Sequence, residues 1–347
     1  MNRLLQQNVE YICCMLILRF IGLSLLISLG FLYSCGIEPA HAFKKQRLII
    51  ASDFIKSKDK SLFASFEKEH AIEIIVHYMT SDSISKRLKE EGYSTEIDLV
   101  ILKSSFDMCQ LQDEGRLQKI LLEENRPVTS PKFNSKELDW FGISIDPYII
   151  VHSDDSLGKI LNYTDLSKKN SWMTNLKDDK ELNPLIAGFS NRIRSQADSI
   201  KSTWFQSFFA KKVPFKVARD SSFNLTPILT LYSSFYSDSS LYKSNYKKGK
   251  VNYPNQSKGG TFYSLRAVGI VKQARNYTNA CLFIQYLTQE GVNQRINNWW
   301  NTFPISSSMN RSYTYQNIRY KRYPIAMYML CSERMNSRRI LDKMKKK

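Results

Sequence analysis

Between residues 47 and 120 the sequence alternates apolar runs with amphipathic stretches, and this alternation limits the choice of fold more than any other feature. Three continuous apolar runs predict buried strands: RLIIAS (47–52), IEIIVHYM (72–79) and EIDLVILK (96–103). Three intervening stretches predict helices: residues 59–71, residues 81–92, and a short helix that leads to a turn within residues 108–120. The second helix has a capping Ser81-Asp82 pair at its start and Gly92 at its end. Strands and helices in this order predict a parallel α/β sheet.

The second half of the chain contains two long strand-like segments, WFGISIDPYIIVHS (140–153) and TFYSLRAVGIVKQAR (261–275). Segments of this kind carry a chain from one lobe to another. Between them, STWFQSFFAKK predicts a helix and PILTLYS a strand. After them, NYTNACLFIQYLTQEGVNQRINNWW predicts an amphipathic helix pair and NSRRILDKMKKK a basic helix. The sequence therefore predicts two α/β lobes joined by two crossings, with ligand bound between the lobes at strand ends.

The N-terminus has the pattern of an export signal. The apolar run FIGLSLLISLGFLY follows a basic residue and is too short to span a bilayer comfortably. The sequence offers two possible processing sites for this signal. One is cleavage after AHA (40–42), and the other is a lipobox-like LYSC (32–35) in which Cys35 would accept a lipid. Both stay open, as do an uncleaved membrane anchor and translation starts at Met1 or Met15. Export predicts a periplasmic location, soluble or anchored through Cys35.

The cysteines and histidines argue against a disulfide framework and a zinc site. Three of the six cysteines belong to the signal, which leaves Cys109, Cys281 and Cys331 without a CxxC pair. One bridge among these three is open and the sequence does not assign it. His77 and His152 lie in strand-like runs and are interpreted as structural.

The formal net charge of +18 favours anionic ligands or a membrane surface, although a general lysine bias explains it equally simply. The basic residues are spread along the chain, whereas a nucleic-acid-binding protein usually clusters them. The sequence contains no nucleophile elbow, Walker A sequence or HExxH motif. These observations favour a binding protein over an enzyme and predict no nucleic-acid partner.

Several blocks resemble the ferric-iron-binding periplasmic proteins of ABC importers. SFEKEHAIEIIVHYMTSDSISKRLKEEGYSTEIDLVI and DEGRLQKI resemble their first lobe, and WFGISIDPYIIVHSDD resembles their crossing strand. NYPNQSKGGTFYSLRAVGIVKQARNYTNACLFIQYLTQEGVNQ and NTFPIS resemble the return crossing and the helix and segment after it. The resemblance covers nearly all of residues 47–347 and rests on the order of many elements. It implies a two-lobed type II periplasmic-binding-protein fold, a small ligand in the cleft, a monomer, and an inner-membrane permease as partner.

The resemblance also divides the chain. Residues 1–42 would be the signal. Residues 43–146 would form the first lobe, completed by residues 266–312. Residues 147–265 would form the second lobe, completed by residues 313–347.

The family binds iron through two adjacent tyrosines at the end of a second-lobe strand, usually joined by a His or Tyr after the first strand. Ferric iron is a hard cation that prefers anionic oxygen, and a bound cation lowers the effective pKa of a phenol. The resemblance places the adjacent pair on Tyr232 and Ser233, so one phenol of the two is kept. Tyr236 would substitute for the second if the loop bends back.

Other family positions are changed as well. After the first strand, Asp53 is the one oxygen candidate, and the carboxylate position after the third strand falls on Lys103. Asp146 and Tyr148 replace arginines of the crossing strand, and a further tyrosine position falls near Ile193. The elements therefore resemble the family while the ligand set departs from it. Each missing anionic oxygen removes charge neutralisation of a trivalent ion.

Three functions stay open. The first is capture of ferric iron or a ferric chelate, with or without a synergistic anion, through oxygens of Tyr232, Tyr236, Tyr148, Asp53 and Asp146. The second is capture of a different small anion through the positive charges and helix start at Ser81, Ser83, Lys103, Arg192 and Arg194. The third is a degenerate binding or sensor protein without a transport role.

Overall fold

The computed structural model describes the chain from residue 46 onward, with gaps. The described residues are 46–122, 129–152, 160–168, 172–174, 176, 179–192, 205–206, 208–209, 212–214, 227–237, 250–305 and 320–345. The predicted signal, with Cys35 and the alternative starts Met1 and Met15, lies outside them, as does Arg194. Among the described residues no helix is both long and apolar enough to cross a membrane.

The described strands are β1 (Gln46–Ser52), β2 (Ile72–Tyr78), β3 (Leu99–Leu102), β4 (Leu117–Gln118), β5 (Trp140–His152), β6 (Trp172–Thr174), β7 (Lys212–Pro214), β8 (Ile228–Leu231), β9 (Lys250–Asn252) and β10 (Tyr263–Val271). The described α-helices are α1 (Ala64–His70), α2 (Ser81–Glu91), α3 (Ser105–Asp113), α4 (Asp179–Arg192), α5 (Tyr232–Ser237), α6 (Tyr277–Thr288), α7 (Glu290–Trp299), α8 (Met327–Ser332) and α9 (Arg334–Lys345). Short 3₁₀ helices span Ser57–Phe63, Gly92–Ser94, Pro131–Phe133 and Tyr163–Lys168.

The strands pair in the order β2–β1–β3–β10–β5–β8–β6–β7, with β4 beside β10 and β9 beside β5. The strands β1, β2 and β3 are parallel, as their continuous apolar runs predict. The strand β10 runs antiparallel to both β3 and β5, and β8 is antiparallel to β5. The strand β6 is parallel to both β7 and β8.

The long strand β5 changes its neighbours halfway along. Its first half pairs with β10 as far as Pro147, opposite Tyr263, and its second half pairs with β8 from Tyr148, opposite Leu231. Proline has no N–H that could donate a hydrogen bond to a neighbouring strand. It is tolerated here because β5 changes its neighbouring strand at this point. Every residue of β5 is buried. The strand therefore passes from a first group of strands, β1, β2, β3 and β10, to a second group, β6, β7 and β8, as the long apolar segment predicts.

A disulfide joins Cys109 in α3 to Cys331 in α8, so the structure assigns the bridge that the sequence left open. Cys281 is the free, buried thiol of the three. The bridge closes a sequence separation of 222 residues and ties the C-terminal helices to the first group of strands.

Some local predictions are wrong in detail. The helix α2 is capped by Thr80, whose hydroxyl accepts from the Ser83 N–H at 3.2 Å, rather than by Ser81 or Asp82. The short helix and turn predicted within 108–120 are confirmed as α3 and the turn after it, but α3 begins earlier, at Ser105, and ends at Asp113. Gly115 then takes a positive φ of 64°, which turns the chain into β4.

The other differences lie at element ends. The segment predicted as a helix over 59–71 begins with a 3₁₀ turn and becomes α1 at Ala64. The predicted strand PILTLYS ends at Leu231, and Tyr232 begins α5.

Candidate functional site

A buried carboxylate lies where the two crossing strands meet α5. Asp146 of β5 is 1% exposed, and its Oδ1 accepts from the Ser233 N–H at 3.0 Å. The Ser233 hydroxyl donates to Oδ2, and Nη2 of Arg266 on β10 lies 3.6 Å from the same oxygen. Burial raises the pKa of Asp146, and the Arg266 charge and the Ser233 bonds oppose that rise. A buried ion pair of this kind depends on its hydrogen bonds for a tolerable desolvation cost.

These contacts account for the serine at the position where the family resemblance expects a second tyrosine. Both the backbone and the side chain of Ser233 are committed to Asp146. A tyrosine side chain would carry its hydroxyl away from the backbone and would leave one oxygen of a buried carboxylate without that donor. The presence of serine in place of tyrosine at position 233 and the presence of Asp146 are therefore physically linked.

Four tyrosines gather beside this ion pair, and we call them the phenol cluster: Tyr232, Tyr236, Tyr253 and Tyr320. Tyr232 and Tyr236 are four residues apart on α5, with ring centroids 4.4 Å apart. The ring of Tyr253 lies 6.4 Å from Tyr232 and stacks on Tyr320 at 4.6 Å. Phe303 contacts the cluster from one side, 4.9 Å from Tyr232 and 5.1 Å from Tyr320.

The helical form of α5 settles the arrangement of its two tyrosines. From the sequence, Tyr236 was expected to reach the site only if the chain after Tyr232 formed a loop that bends back. Residues spaced by four lie on one face of a helix, so one turn brings the Tyr236 ring onto Tyr232 without any such loop.

The phenols of the cluster share one electrostatic environment with Asp146. Burial raises the pKa of Tyr253 far above its usual value, and negative charge on Tyr232, Tyr320, Tyr236 or Asp146 would raise it further. Burial likewise raises the pKa of Tyr320, with Asp146 adding to the rise and Arg322 opposing it. Without a cation these phenols are therefore held neutral, and a bound cation would favour the phenolate form by opposing both burial and mutual repulsion.

The hydroxyls of Tyr253 and Tyr320 are buried and have no hydrogen-bond partner among the described residues. An unpaired buried hydroxyl costs free energy and calls for an explanation. Within the described part of the chain no three His, Cys, Asp or Glu side chains group so as to hold a metal ion. Metal binding at this place would therefore rely on phenol oxygens.

Asp53, the candidate after the first strand, is a second carboxylate whose charge acts on Arg266. Its Oδ1 accepts from the Lys103 N–H at 2.8 Å, and burial raises its pKa to about 6. The Arg266 guanidinium, 4.6 Å from the Phe54 ring, is under the influence of both Asp146 and Asp53. Both candidate carboxylates therefore act on this one arginine, and Asp146 pairs with it directly.

Tyr148 is placed differently. It is fully buried in another apolar cluster, and its hydroxyl donates to the carbonyl of Glu181 at 2.5 Å. Its own carbonyl accepts from the Tyr163 hydroxyl at 2.7 Å. The structure does not bring Tyr148 into the phenol cluster.

Three of the groups proposed for an anion, those of Ser81, Ser83 and Lys103, have protein partners. The Lys103 ammonium pairs with Glu181 at the start of α4, and Ser81 accepts from Lys180 at 2.7 Å. The Ser83 N–H is used by the Thr80 cap. Arg192 is near the far end of α4, about 16 Å of helix beyond Glu181. Ser81 and Lys103 thus contact consecutive residues at the start of α4, whereas Arg192 lies at the opposite end of that helix.

Sequence reasoning missed Tyr253 and Tyr320. Tyr253 directly follows β9, and strand ends are where such ligands gather, so a survey of tyrosines after strands would have found it. Nothing local in YKRYP distinguishes Tyr320, which reaches the cluster through the return of the C-terminal segment.

No protein-family model matches the chain. It is 24% identical to Iron uptake protein A1 of Synechocystis sp. (strain ATCC 27184 / PCC 6803 / Kazusa), over 75% of this chain and 77% of that protein. The Trichodesmium protein IdiA (FutA), solved with iron and citrate ligands, has a TM-score of 0.74 at 18% identity, covering 86% of this chain and 99% of that one.

A further solved structure carries a different ligand. The periplasmic binding protein AfuA of Actinobacillus pleuropneumoniae, with fructose-6-phosphate bound, has a TM-score of 0.64 at 17% identity, covering 87% and 99% of the two chains. The predicted two-lobed periplasmic-binding-protein fold is confirmed by these similarities. The resemblance to ferric-iron-binding periplasmic proteins is confirmed as well.

Proposed function

We propose that this protein captures ferric iron, as the ion or as a chelate, at the phenol cluster and delivers it to an ABC permease. The similarity to iron uptake and iron-binding proteins supports the class of cargo. The single observation that carries the site is the stacking of Tyr232 and Tyr236 on one face of α5 at the end of β8. Two phenol oxygens at that place supply the anionic donors that a hard trivalent ion requires.

The role of the protein is affinity rather than chemistry. Binding a trivalent ion to phenols releases their protons, so capture is favoured at neutral pH and weakened by acid. The proposed setting is the periplasm, with the protein acting as a monomer in soluble form or anchored through Cys35. Closure of two lobes around the cargo would present it to the permease.

The decisive experiment is a titration of the purified protein with ferric citrate, followed by visible absorption. A saturable phenolate-to-iron charge-transfer band that is lost in Tyr232→Phe is the expected result. Tyr93→Phe is the matched control, because Tyr93 is 87% exposed and lies outside the cluster. A band of unchanged intensity in Tyr232→Phe would refute this placement, and no band in the unmodified protein would refute iron binding.

The second candidate is a phosphorylated or otherwise anionic solute, which the similarity to AfuA favours. The net charge of +18 suits such a ligand. Thermal stabilisation by fructose-6-phosphate, together with no charge-transfer band, would move the assignment to this candidate.

A further inference from the structure

We propose that Tyr253 and Tyr320 form a second pair of phenol ligands, which faces the α5 pair and replaces the oxygens that the resemblance expects elsewhere. This inference rests on the proposed function, because it names residues that would complete the same iron site. Neither residue lies at a position to which the family resemblance assigned a ligand.

Geometry is the first support. Tyr253 and Tyr320 stack face against face, with ring centroids 4.6 Å apart and an interplanar angle of 17°. That pair approaches Tyr232 through Tyr253 and shares Phe303 as a common neighbour. Two tyrosine pairs from separate parts of the chain therefore meet at one place: one pair lies on α5, and the other joins the segment after β9 to the segment before α8.

The state of the hydroxyls is the second support. Both Tyr253 and Tyr320 bury a hydroxyl that has no hydrogen-bond partner among the described residues. By contrast, the buried hydroxyls of Tyr148 and Tyr163 each donate to a backbone carbonyl. A purely structural tyrosine at positions 253 and 320 would gain nothing from its hydroxyl, and phenylalanine would pack equally well.

Charge balance is the third support. Asp146 cannot serve as a free anionic ligand, because Ser233 and Arg266 already neutralise and occupy it. Two phenolates from α5 leave a trivalent ion with an excess positive charge. At least one more anionic oxygen is needed for neutrality, and Tyr253 and Tyr320 offer two candidates within the same electrostatic environment.

The test compares Tyr253→Phe, Tyr320→Phe and the double variant with the unmodified protein, with Tyr93→Phe as control. Ferric nitrilotriacetate is titrated into each protein at several pH values between 6 and 8, while the charge-transfer band is recorded. Each phenol that binds iron releases one proton, so its loss lowers the slope of log affinity against pH by about one. We expect each single variant to shift the band, to reduce that slope and to weaken binding at least tenfold.

The thermal midpoint of the metal-free variants gives a second readout. Because the two hydroxyls have no partner in the part of the chain that the structure describes, Tyr253→Phe and Tyr320→Phe are expected to leave that midpoint unchanged or to raise it. If the unmodified protein shows the band and the double variant keeps the same band, slope and affinity, the inference is overturned while iron binding stands. If the unmodified protein shows no band, the proposed function fails and this inference fails with it.

Discussion

Replacing Asp53 by asparagine gives the sharpest test of how the candidate site is held. Asp53 follows β1 and accepts a hydrogen bond from the Lys103 N–H. Burial raises the pKa of its carboxyl from 3.8 to about 6, and the negative charge of Asp107 adds to that rise. The Lys103 charge opposes it, and Arg266 also faces the group. The folded protein therefore holds an ionised Asp53 at a cost.

The sign and the size of that cost follow from linkage. A carboxyl whose pKa is raised on folding binds its proton more tightly in the folded state. Stability is then highest below pH 4, falls as the pH rises from about 4 to about 6, and stays level above that. A rise of about two pKa units corresponds to about 3 kcal/mol. Because the Asp53 side chain is only half-buried, this value is a ceiling and 1–3 kcal/mol is the working range, allowing for solvent screening.

The amide of Asp53→Asn keeps an oxygen for the Lys103 N–H and carries no charge. The variant should therefore match the unmodified protein at pH 4 and exceed its free energy of unfolding by about 1–3 kcal/mol at pH 7–8. Urea unfolding at pH steps from 4 to 8 measures this difference, with Asp342→Asn as an exposed control on α9. A variant that is less stable than the unmodified protein at pH 8 would refute the reasoning, because the carboxylate would then be a net stabilising partner of Arg266 and Lys103.

Two other predictions concern the links between distant parts of the fold. Reduction of the Cys109–Cys331 bridge, or Cys331→Ser, should lower the free energy of unfolding by about 3–5 kcal/mol, because the bridge closes a separation of 222 residues. Urea unfolding with and without reductant checks this, and peptide mapping after alkylation should find Cys281 alone of the three as a free thiol. Saturating ferric citrate should reduce the radius of gyration through hinge closure near residues 144–150 and 261–268. The substitution Lys180→Glu breaks the 2.7 Å contact between Lys180 and Asp82 and should weaken that closure. Small-angle scattering that does not change with cargo would contradict the hinge.

Periodic apolar patterns predicted the elements of the fold well, because burial decides which segments form strands. The runs at 47–52 and 72–79 became β1 and β2 almost residue for residue. The long segment with Pro147 became β5. Element ends were harder, since a cap depends on one side chain: Thr80 and not Ser81 accepts the N–H that starts α2.

The candidate site was less predictable, because its contacts join residues far apart in the sequence. Tyr232 was found through the family resemblance, and its partner Tyr236 through proximity. Tyr253 and Tyr320 are brought together by the course of the C-terminal segment, which no local pattern encodes. The pairing of Cys109 with Cys331 was open for the same reason.

The departures from the family pattern at the crossing strand and on α5 are best understood as one correlated change. An aspartate buried at position 146 requires donors on both oxygens, and Ser233 and Arg266 provide them. Once Ser233 is committed to that carboxylate, a second phenol cannot stand beside Tyr232 on the chain. Phenol oxygens must then come from other positions: Tyr236 one turn further along α5, Tyr253, whose ring neighbours that of Tyr232, and Tyr320, which stacks on Tyr253. We therefore propose that the ligand set, which looks depleted when each position is compared separately, is redistributed in space, with the buried ion pair as the reason.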